Sequence, residues 1–275
     1  MGITAHVNYA KKALQAWKVG SLLPARLSQE YQFGDFKTVV VSSITTEPLN
    51  DYSRSGTSRY GTPTDVQDTT QELTCTQDKA FTKVIDEGDA RDQQYLKKAA
   101  RVVALIMKEQ VIPMTDKYGF GVLAAKAGKT GDDTTALTKE NVVDRIATGT
   151  AYMDDQEVPG DGRTLFINAA GYKNLRLSDQ FMGIESLGKK AIAAGSVGEF
   201  DGMEVVKVPS SRFPTGVNFM IVHRRAACMP MKIKKTKIHQ DPPGINGNLM
   251  EGRQYYDCFV FDKLKNGIYV DKTTA

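Results

Sequence analysis

The chain lacks paired cysteines, clustered histidines and any long apolar run. Cys75, Cys228 and Cys258 are odd in number, far apart and form no CxxC pair. This excludes a disulfide framework and a cysteine-based zinc site, and fits free thiols in a reducing compartment. His6, His223 and His239 are scattered without metal-ligand spacing. The longest apolar stretch, Val102 to Met107, is far too short to span a bilayer. Lys11 and Lys12 are not followed by an apolar run of signal-peptide length. The expected environment is therefore cytoplasm-like, without membrane contact, unless the chain leaves the cell as part of a particle.

Motifs of catalysis are missing as well. There is no GxSxG elbow, no Walker loop and no Cys–His arrangement. Gly119-Phe120-Gly121 matches part of a dinucleotide fingerprint, but no strand signal precedes it and no third glycine follows. It reads as a turn in a loop over 119–133 that is rich in Gly, Lys and Asp. Asp154, Asp155 and Glu157 form an acidic cluster. They follow a helix and precede Pro159-Gly160, so a solvated turn is favoured over a cation site. The expectation is no catalytic residue, no cofactor and no metal.

The third scarcity is local. Residues 49–78 hold almost no core: the sizeable apolar side chains are Leu49, Tyr52, Tyr60, Val66 and Leu73. Connections longer than about 12–15 residues are uncommon in compact domains. Thr-rich runs and the Gly61-Thr62-Pro63 turn signal suggest a two-stranded finger. An isolated hairpin is marginal in water, so something must cover it, and another copy of the chain is the natural candidate.

Against these scarcities, 41% of the 275 residues are hydrophobic and 25% charged, and the net charge is +4. A folded core is affordable on those fractions. Val7, Ala10, Leu14 and Trp17 mark a short amphipathic helix near the N-terminus, better suited to docking on protein than to holding a membrane. Residues 37–45 read as a strand. Leu96, Ala99, Ala100, Val103 and Met107 form the stripe of a long helix over 89–111, with Pro113 as its stop. A second helix starts near Thr138, carrying Val142, Ile146 and Met153 on one face. A strand over 164–168 leads into a short helix over 169–177 with Asn168 as a cap. Residues 183–198, with four glycines, suggest a loop with a helical turn. Asp201-Gly202 marks a hairpin between strands over 197–200 and 203–208, and a strand over 217–223 follows. Asn266-Gly267 marks a second hairpin, between 255–264 and 267–270. The sum is an α+β chain.

Charge is unevenly placed. Between His223 and Gln240 stand Arg224, Arg225, Lys232, Lys234, Lys235 and Lys237 with no acid, whereas the finger carries Asp51, Asp65, Asp68, Glu72 and Asp78 against Arg54 and Arg59. Two independent solvated faces would explain this. Alternatively, the acidic finger of one copy crosses the basic segment of another, with opposed fields setting register. A third option is that the basic segment neutralises packaged nucleic acid.

The order of these elements resembles the major capsid protein of tailed bacteriophages, the HK-ninety-seven-like fold. The segments carrying it are GEFDGMEVVKVPSSRFP (198–214), VPGDGRTLFINAAGYKNL (158–175), the helix DARDQQYLKKAARVVALIMKE after the finger, and GRQYYDCFVFDKLKNGIYV near the end. Each encodes little more than a hairpin or a helix start, and their order and spacing carry the likeness over most of 37–270. The resemblance implies an N-terminal arm (1–48) and an extended loop (49–79) crossing a neighbouring subunit. It also implies a peripheral domain with a long spine helix (80–118 and 225–275) and an axial domain (119–224). The implied partners are further copies in hexamers and pentamers of an icosahedral shell, packaged double-stranded DNA, a separate scaffolding protein and a portal. The implied location is the virion, with host cytoplasm during assembly. The inter-subunit residues would be Asp51, Arg54, Arg59, Tyr60, Asp65, Asp68 and Glu72 on the finger, and Arg224, Arg225, Lys232, Lys234, Lys235 and Lys237 on the basic segment. Some members weld the shell through a loop lysine and a neighbour's asparagine. Residues 49–78 contain no lysine, the nearest being Lys79 and Lys83, so a non-covalent shell is expected despite Asn266. The nearest alternative is an encapsulin-like compartment of the same fold, and a more distant one is a soluble α+β enzyme. A nucleic-acid-binding regulator is weakest, since the basic segment lacks a recognition helix.

Overall fold

A computed structural model describes residues 20–31, 38–88, 98–178 and 196–274. The predicted N-terminal helix, Leu96 of the helical stripe and most of the glycine-rich 183–198 stretch lie outside these residues.

Two strands open the described fold, β1 (Thr38–Ile44) and β2 (Asp68–Thr74), paired antiparallel. β3 (Gln77–Asp86) leaves for a different sheet. Next come helix α1 (Ala99–Ile106), a π-helical turn (Met107–Val111) and helix α2 (Ile112–Ala125). β4 (Lys129–Asp133), α3 (Val142–Asp155), β5 (Arg163–Asn168) and α4 (Ala169–Arg176) follow. The chain continues with β6 (Ser196–Phe200), β7 (Met203–Val208), β8 (Val217–His223) and β9 (Ala227–Cys228). It closes with β10 (Met231–Gln240), β11 (Gly247–Tyr256), β12 (Phe259–Val260) and β13 (Ile268–Thr273).

The larger sheet has the order β4-β13-β8-β5-β7-β6 and mixes parallel and antiparallel pairs. Its inner strands β5 and β8 are buried at nearly every position because both faces are covered. Phe166, Val206, Met220, Val222 and Val270 face α2 and the segment carrying Leu22, Leu23 and Leu27. Leu165, Ile167, Val205, Phe219 and Ile221 face α3 and α4, meeting Val142, Ile146, Met153 and Leu175. The second sheet has the order β10-β11-β3, and among the described residues one of its faces carries a helix. There Ile85 and Met250 pack against Ala99, Val102 and Val103 of α1.

Several expectations hold. α3 buries the predicted Val142, Ile146 and Met153. Asn168 caps α4 by accepting the Gly171 amide at 2.6 Å. Asp201 and Gly202 turn β6 into β7 with φ of +51° and +70°. The acidic cluster is solvated as expected, but Asp154 and Asp155 are the last residues of α3 and only Glu157 lies in the turn; Asp154 pairs with Arg163 at 2.6 Å.

Three expectations are corrected. Pro113 does not end the long helix. The π-turn before it widens the ladder where proline supplies no N–H and its ring would meet the preceding turn, and the helix resumes as α2. Consequently Gly119-Phe120-Gly121 is helical and not a turn, and the predicted loop over 119–133 holds the end of α2 and β4. Gly119 serves close approach: a Cβ there would stand 2.4 Å from Leu23 Cδ2. Finally, Asn266-Gly267 is not a hairpin turn. It ends a 3₁₀ segment, Asp262–Gly267, and β13 departs to pair with β8 and β4.

Candidate assembly surfaces

The finger is a hairpin whose first strand, β1, lies upstream of the polar stretch. Its rungs run from Thr38↔Thr74 to Ile44↔Asp68, and the Thr45 amide donates to the Gln67 carbonyl at 2.8 Å to close the ladder. Beyond lie residues 46–66, almost all exposed. Their local order comes from a Tyr52–Tyr60 edge-to-face pair with centroids 5.0 Å apart and the Ser53 amide donating to Arg59 O at 2.9 Å. Leu49, Tyr60 and Val66 are 101%, 85% and 74% exposed, so among the described residues nothing covers these side chains of the tip.

The base of the hairpin is fixed firmly. Leu73 and Cys75 sink into a cluster with Cys228, Phe259 and Phe261, joined by Val39 and Val41. Asp257 accepts from the Thr76 amide and hydroxyl at 2.7 and 2.8 Å and from Tyr118 Oη of α2 at 2.6 Å. Burial and the neighbouring Asp257 push the Tyr118 hydroxyl up to about 12. Gln71 bridges to Val260 O and the Asp262 amide, and Lys263 Nζ donates to Ile44 O at 2.8 Å. All three thiols are buried and free, and burial raises Cys75 to about 11 and Cys228 to about 12.

Strand alternation divides the hairpin into two faces. Val39, Val41 and Leu73 point toward the body of the chain. Val40, Ile44, Asp68 and Glu72 point away, with Val40 opposite Glu72 and Ile44 opposite Asp68. Val40 and Ile44 are 55% and 62% exposed. Val40 and Ile44 were not among the candidate residues of the sequence; their shared parity in TVVVSSI, matched to DTTQELT, is the signal that would have found them.

The basic segment is spread over three places. Arg224 and Arg225 occupy the exposed turn between β8 and β9. Lys232 lies over the Tyr255 ring at 5.7 Å. Lys235 and Lys237 point to the solvent face of the β10-β11-β3 sheet, and Lys234 to the face that carries α1, where Lys79 and Lys83 also project. On the solvent face Arg253 holds Asp78 at 2.9 and 2.5 Å, which keeps the Asp78 carboxyl below its ordinary value. Asp78 is thus engaged within its own chain. Asp51, Asp65, Asp68 and Glu72 make no ion pair among the described residues, and neither do Arg54 and Arg59.

Two buried ion pairs hold the frame behind these surfaces. Asp116 of α2 accepts from Arg212 at 2.8 Å, the Leu22 amide at 3.0 Å and Ser21 Oγ at 2.9 Å. Arg145 of α3 donates to the Asp271 carboxylate of β13 through Nε and Nη2, at 3.0 and 2.7 Å. Among the described residues no group of three or more His, Cys, Asp or Glu is placed to hold a metal, and no helix is long and apolar enough to cross a membrane.

No protein-family model matches the sequence, and no curated protein is similar to it. Solved structures are similar in shape. A structure of Mycobacterium phage Che8 is 19% identical, covers 100% of this chain and 98% of its own, and superposes with a TM-score of 0.78. A capsid structure of the cyanophage P-SCSP1u is 13% identical, with 97% and 92% covered and a TM-score of 0.75. The chain has the phage-capsid fold. A virus-like particle from Pyrococcus furiosus is also similar, at 10% identity, 92% coverage of each chain and a TM-score of 0.59. With this fold the exposed hairpin is its extended loop, and α1, the π-turn and α2 form its long spine helix.

Proposed function

We propose that the chain is the major capsid subunit of a tailed bacteriophage, a structural protein without catalytic activity that self-assembles through hexamers and pentamers into an icosahedral shell. The observation that carries this reading is likeness to phage structures across the whole length of the chain, hairpin included. A hairpin anchored at its base and bare at its tip suits a clasp on a neighbouring copy, because interfaces between obligate partners commonly exceed about 2,000 Å². The better superposition on the two phage structures than on the Pyrococcus furiosus particle favours a phage shell over a cargo compartment.

In this reading residues 1–48 form the arm, whose last strand, β1, is also the first strand of the hairpin, and 49–79 the rest of the extended loop. Residues 80–118 with 225–275 make the peripheral domain, and 119–224 the axial domain, to whose six-stranded sheet β13 returns. Arg224, Arg225 and the lysines of β10 meet either the acidic finger of another copy or packaged DNA, the latter by non-specific phosphate neutralisation. A separate scaffolding protein and a portal complete assembly, which takes place in host cytoplasm. The shell is held non-covalently. Residues 49–78 bring no lysine, and the Asn266 side chain is occupied by Gln156 and Tyr152 at 2.7 and 3.3 Å. Size-exclusion chromatography and negative-stain microscopy of the purified protein test this. Rings or shells are expected, and dissociation to monomer on boiling in SDS. A monomer under all conditions, including addition of a scaffold, would overturn the shell reading, and a boiling-resistant ladder would overturn the absence of a covalent weld.

A further inference from the structure

We propose that Asn246 is a self-modification site, which loses its side-chain amide nitrogen to ring closure by the Gly247 nitrogen, with Asp241 as the proton acceptor. This reading does not depend on the shell. The chain holds two Asn-Gly pairs, Asn246-Gly247 and Asn266-Gly267. Such a pair can cyclise because glycine has no Cβ to hinder its nitrogen as that nitrogen closes on the asparagine Cγ. The fold gives the two pairs opposite surroundings.

Asn246 lies in the connection between β10 and β11. Its side chain is exposed and makes no hydrogen bond among the described residues. Its neighbour is glycine for a structural reason. Gly247 has a φ of +135°, and a Cβ there would stand 2.2 Å from Ile85 O of β3. Asn246 itself is outside the left-handed region, so its backbone does not call for asparagine. The Gly247 amide donates to Asp241 Oδ1 at 2.8 Å, and Asp241 is fixed by its own amide donating to Gly247 O at 2.7 Å. A carboxylate at that distance is within reach of the proton it is to accept. Asn266 differs at each point. Its side chain donates to Gln156 Oε1 at 2.7 Å and accepts from Tyr152 Oη at 3.3 Å. Gly267 is buried, and its amide donates to no carboxylate among the described residues.

The reaction needs no oxidant or reductant. The Gly247 nitrogen bonds to Asn246 Cγ and its proton passes to Asp241. The Cγ–Nδ2 bond breaks, and the same proton leaves with the nitrogen as ammonia. Water then opens the cyclic imide to aspartate or isoaspartate. Either product adds a negative charge at the end of a hairpin whose first strand carries Lys232, Lys234, Lys235 and Lys237. In isoaspartate the main chain runs through the former side chain and is one methylene longer. The hold of the Glu87 amide on Asn246 O, at 3.1 Å, and the Gly247↔Asp86 rung then no longer fit together. Modification therefore loosens the end of β11 from β3.

The test incubates the full chain at neutral pH, folded and in urea. Peptide mass spectrometry reads conversion at each asparagine, and hydroxylamine, which cleaves at the cyclic imide, reads scission between 246 and 247. In the folded chain Asn246 should convert about tenfold or more faster than Asn266, because a nucleophile and carbon free to meet outpace a pair held apart. In urea the two rates should converge. D241N keeps an acceptor for the Gly247 amide and tolerates the φ of +44° at that position. It should slow conversion of Asn246 by about tenfold, less than a positioned base commonly contributes, because a carboxylate is a weak one. Asn246 that stays intact in the folded chain while converting in urea overturns the site and shows that the loop protects it. Equal folded-state rates at the two asparagines overturn it as well. D241N that converts at the wild-type rate removes Asp241 as the proton acceptor. Circular dichroism identifies a variant that fails to fold, and the comparison of the two asparagines in the wild-type chain remains decisive in that event.

Discussion

Single residues set how firmly the hairpin and the arm are attached to the body. Asp116 lies wholly inside, with three donors converging on it, the buried Arg212 among them. Asp116→Ala would take a carboxylate from beside a buried guanidinium and leave the Leu22 amide and Ser21 hydroxyl without this acceptor, and the expected loss is about 3–5 kcal/mol in denaturant unfolding. Asp78 is different because it is solvent-exposed. The Arg253 hydrogen bond holds its carboxyl below the ordinary value of 3.8. A group depressed in the folded state contributes stability above its unfolded value and loses it as pH falls through the folded one. Asp78→Asn should therefore be slightly less stable than wild type at neutral pH. The difference should vanish on acidification below about pH 4, as followed by thermal melts across pH 2–7. A gap that widened with acid would reverse the assignment.

At the scale of elements, local signals that depend on one short stretch were readable, and those that depend on a neighbour were not. Asn168 announces the start of α4 in the sequence, and Asn168→Ala should cost about 1 kcal/mol of stability by leaving the Gly171 amide without its acceptor. Asp201-Gly202 announces the β6–β7 turn because both positions need positive φ. Pro113 misleads because a helix can absorb it after a π-turn, and nothing in the flanking residues declares that turn. Asn266-Gly267 misleads because β13 is drawn to β8 and β4, partners distant in sequence, more strongly than to the strand before it. Gly119 and Gly149 are helical for packing reasons invisible in a linear pattern. A Cβ at Gly149 would stand 2.7 Å from Tyr269 Cδ1 and 2.9 Å from Ile221 Cδ1. Gly149→Ala gains about 1 kcal/mol of helix propensity and loses about 1–3 kcal/mol to overpacking. The expected net is a lower melting temperature, and an increase would show that α3 shifts freely off the sheet. For the assembly surfaces, the sequence carried the acidic finger and the basic stretch. The division of those charges between faces required strand register, since a shift of one residue sends every side chain to the other side.

At the scale of the molecule, the division of labour is between a body that folds on itself and a finger that does not. The six-stranded sheet buries both faces under helices, and the finger's base is tied to that body through Leu73, Cys75 and the Asp257 hub. The tip contributes nothing to either core, since Leu49, Tyr60 and Val66 are exposed and the chain crosses from Thr45 to Gln67 with one amide–carbonyl bond. Replacing residues 46–66 with a two-residue Asn-Gly turn, which suits a tight hairpin, should therefore leave the monomer's melting temperature within a few degrees of wild type. The same change removes Asp51, Arg54, Arg59, Tyr60 and Asp65 from the reach of any neighbour, so particle formation should fail. Sedimentation and microscopy on the shortened chain, alongside its thermal melt, separate the two effects. Loss of particles with a preserved melt would assign the tip to assembly alone. Normal particles would show that the arm and the outward hairpin face hold the lattice without the tip. A collapsed melt would mean that the exposed tip supports the body through contacts that its own side-chain exposure argues against.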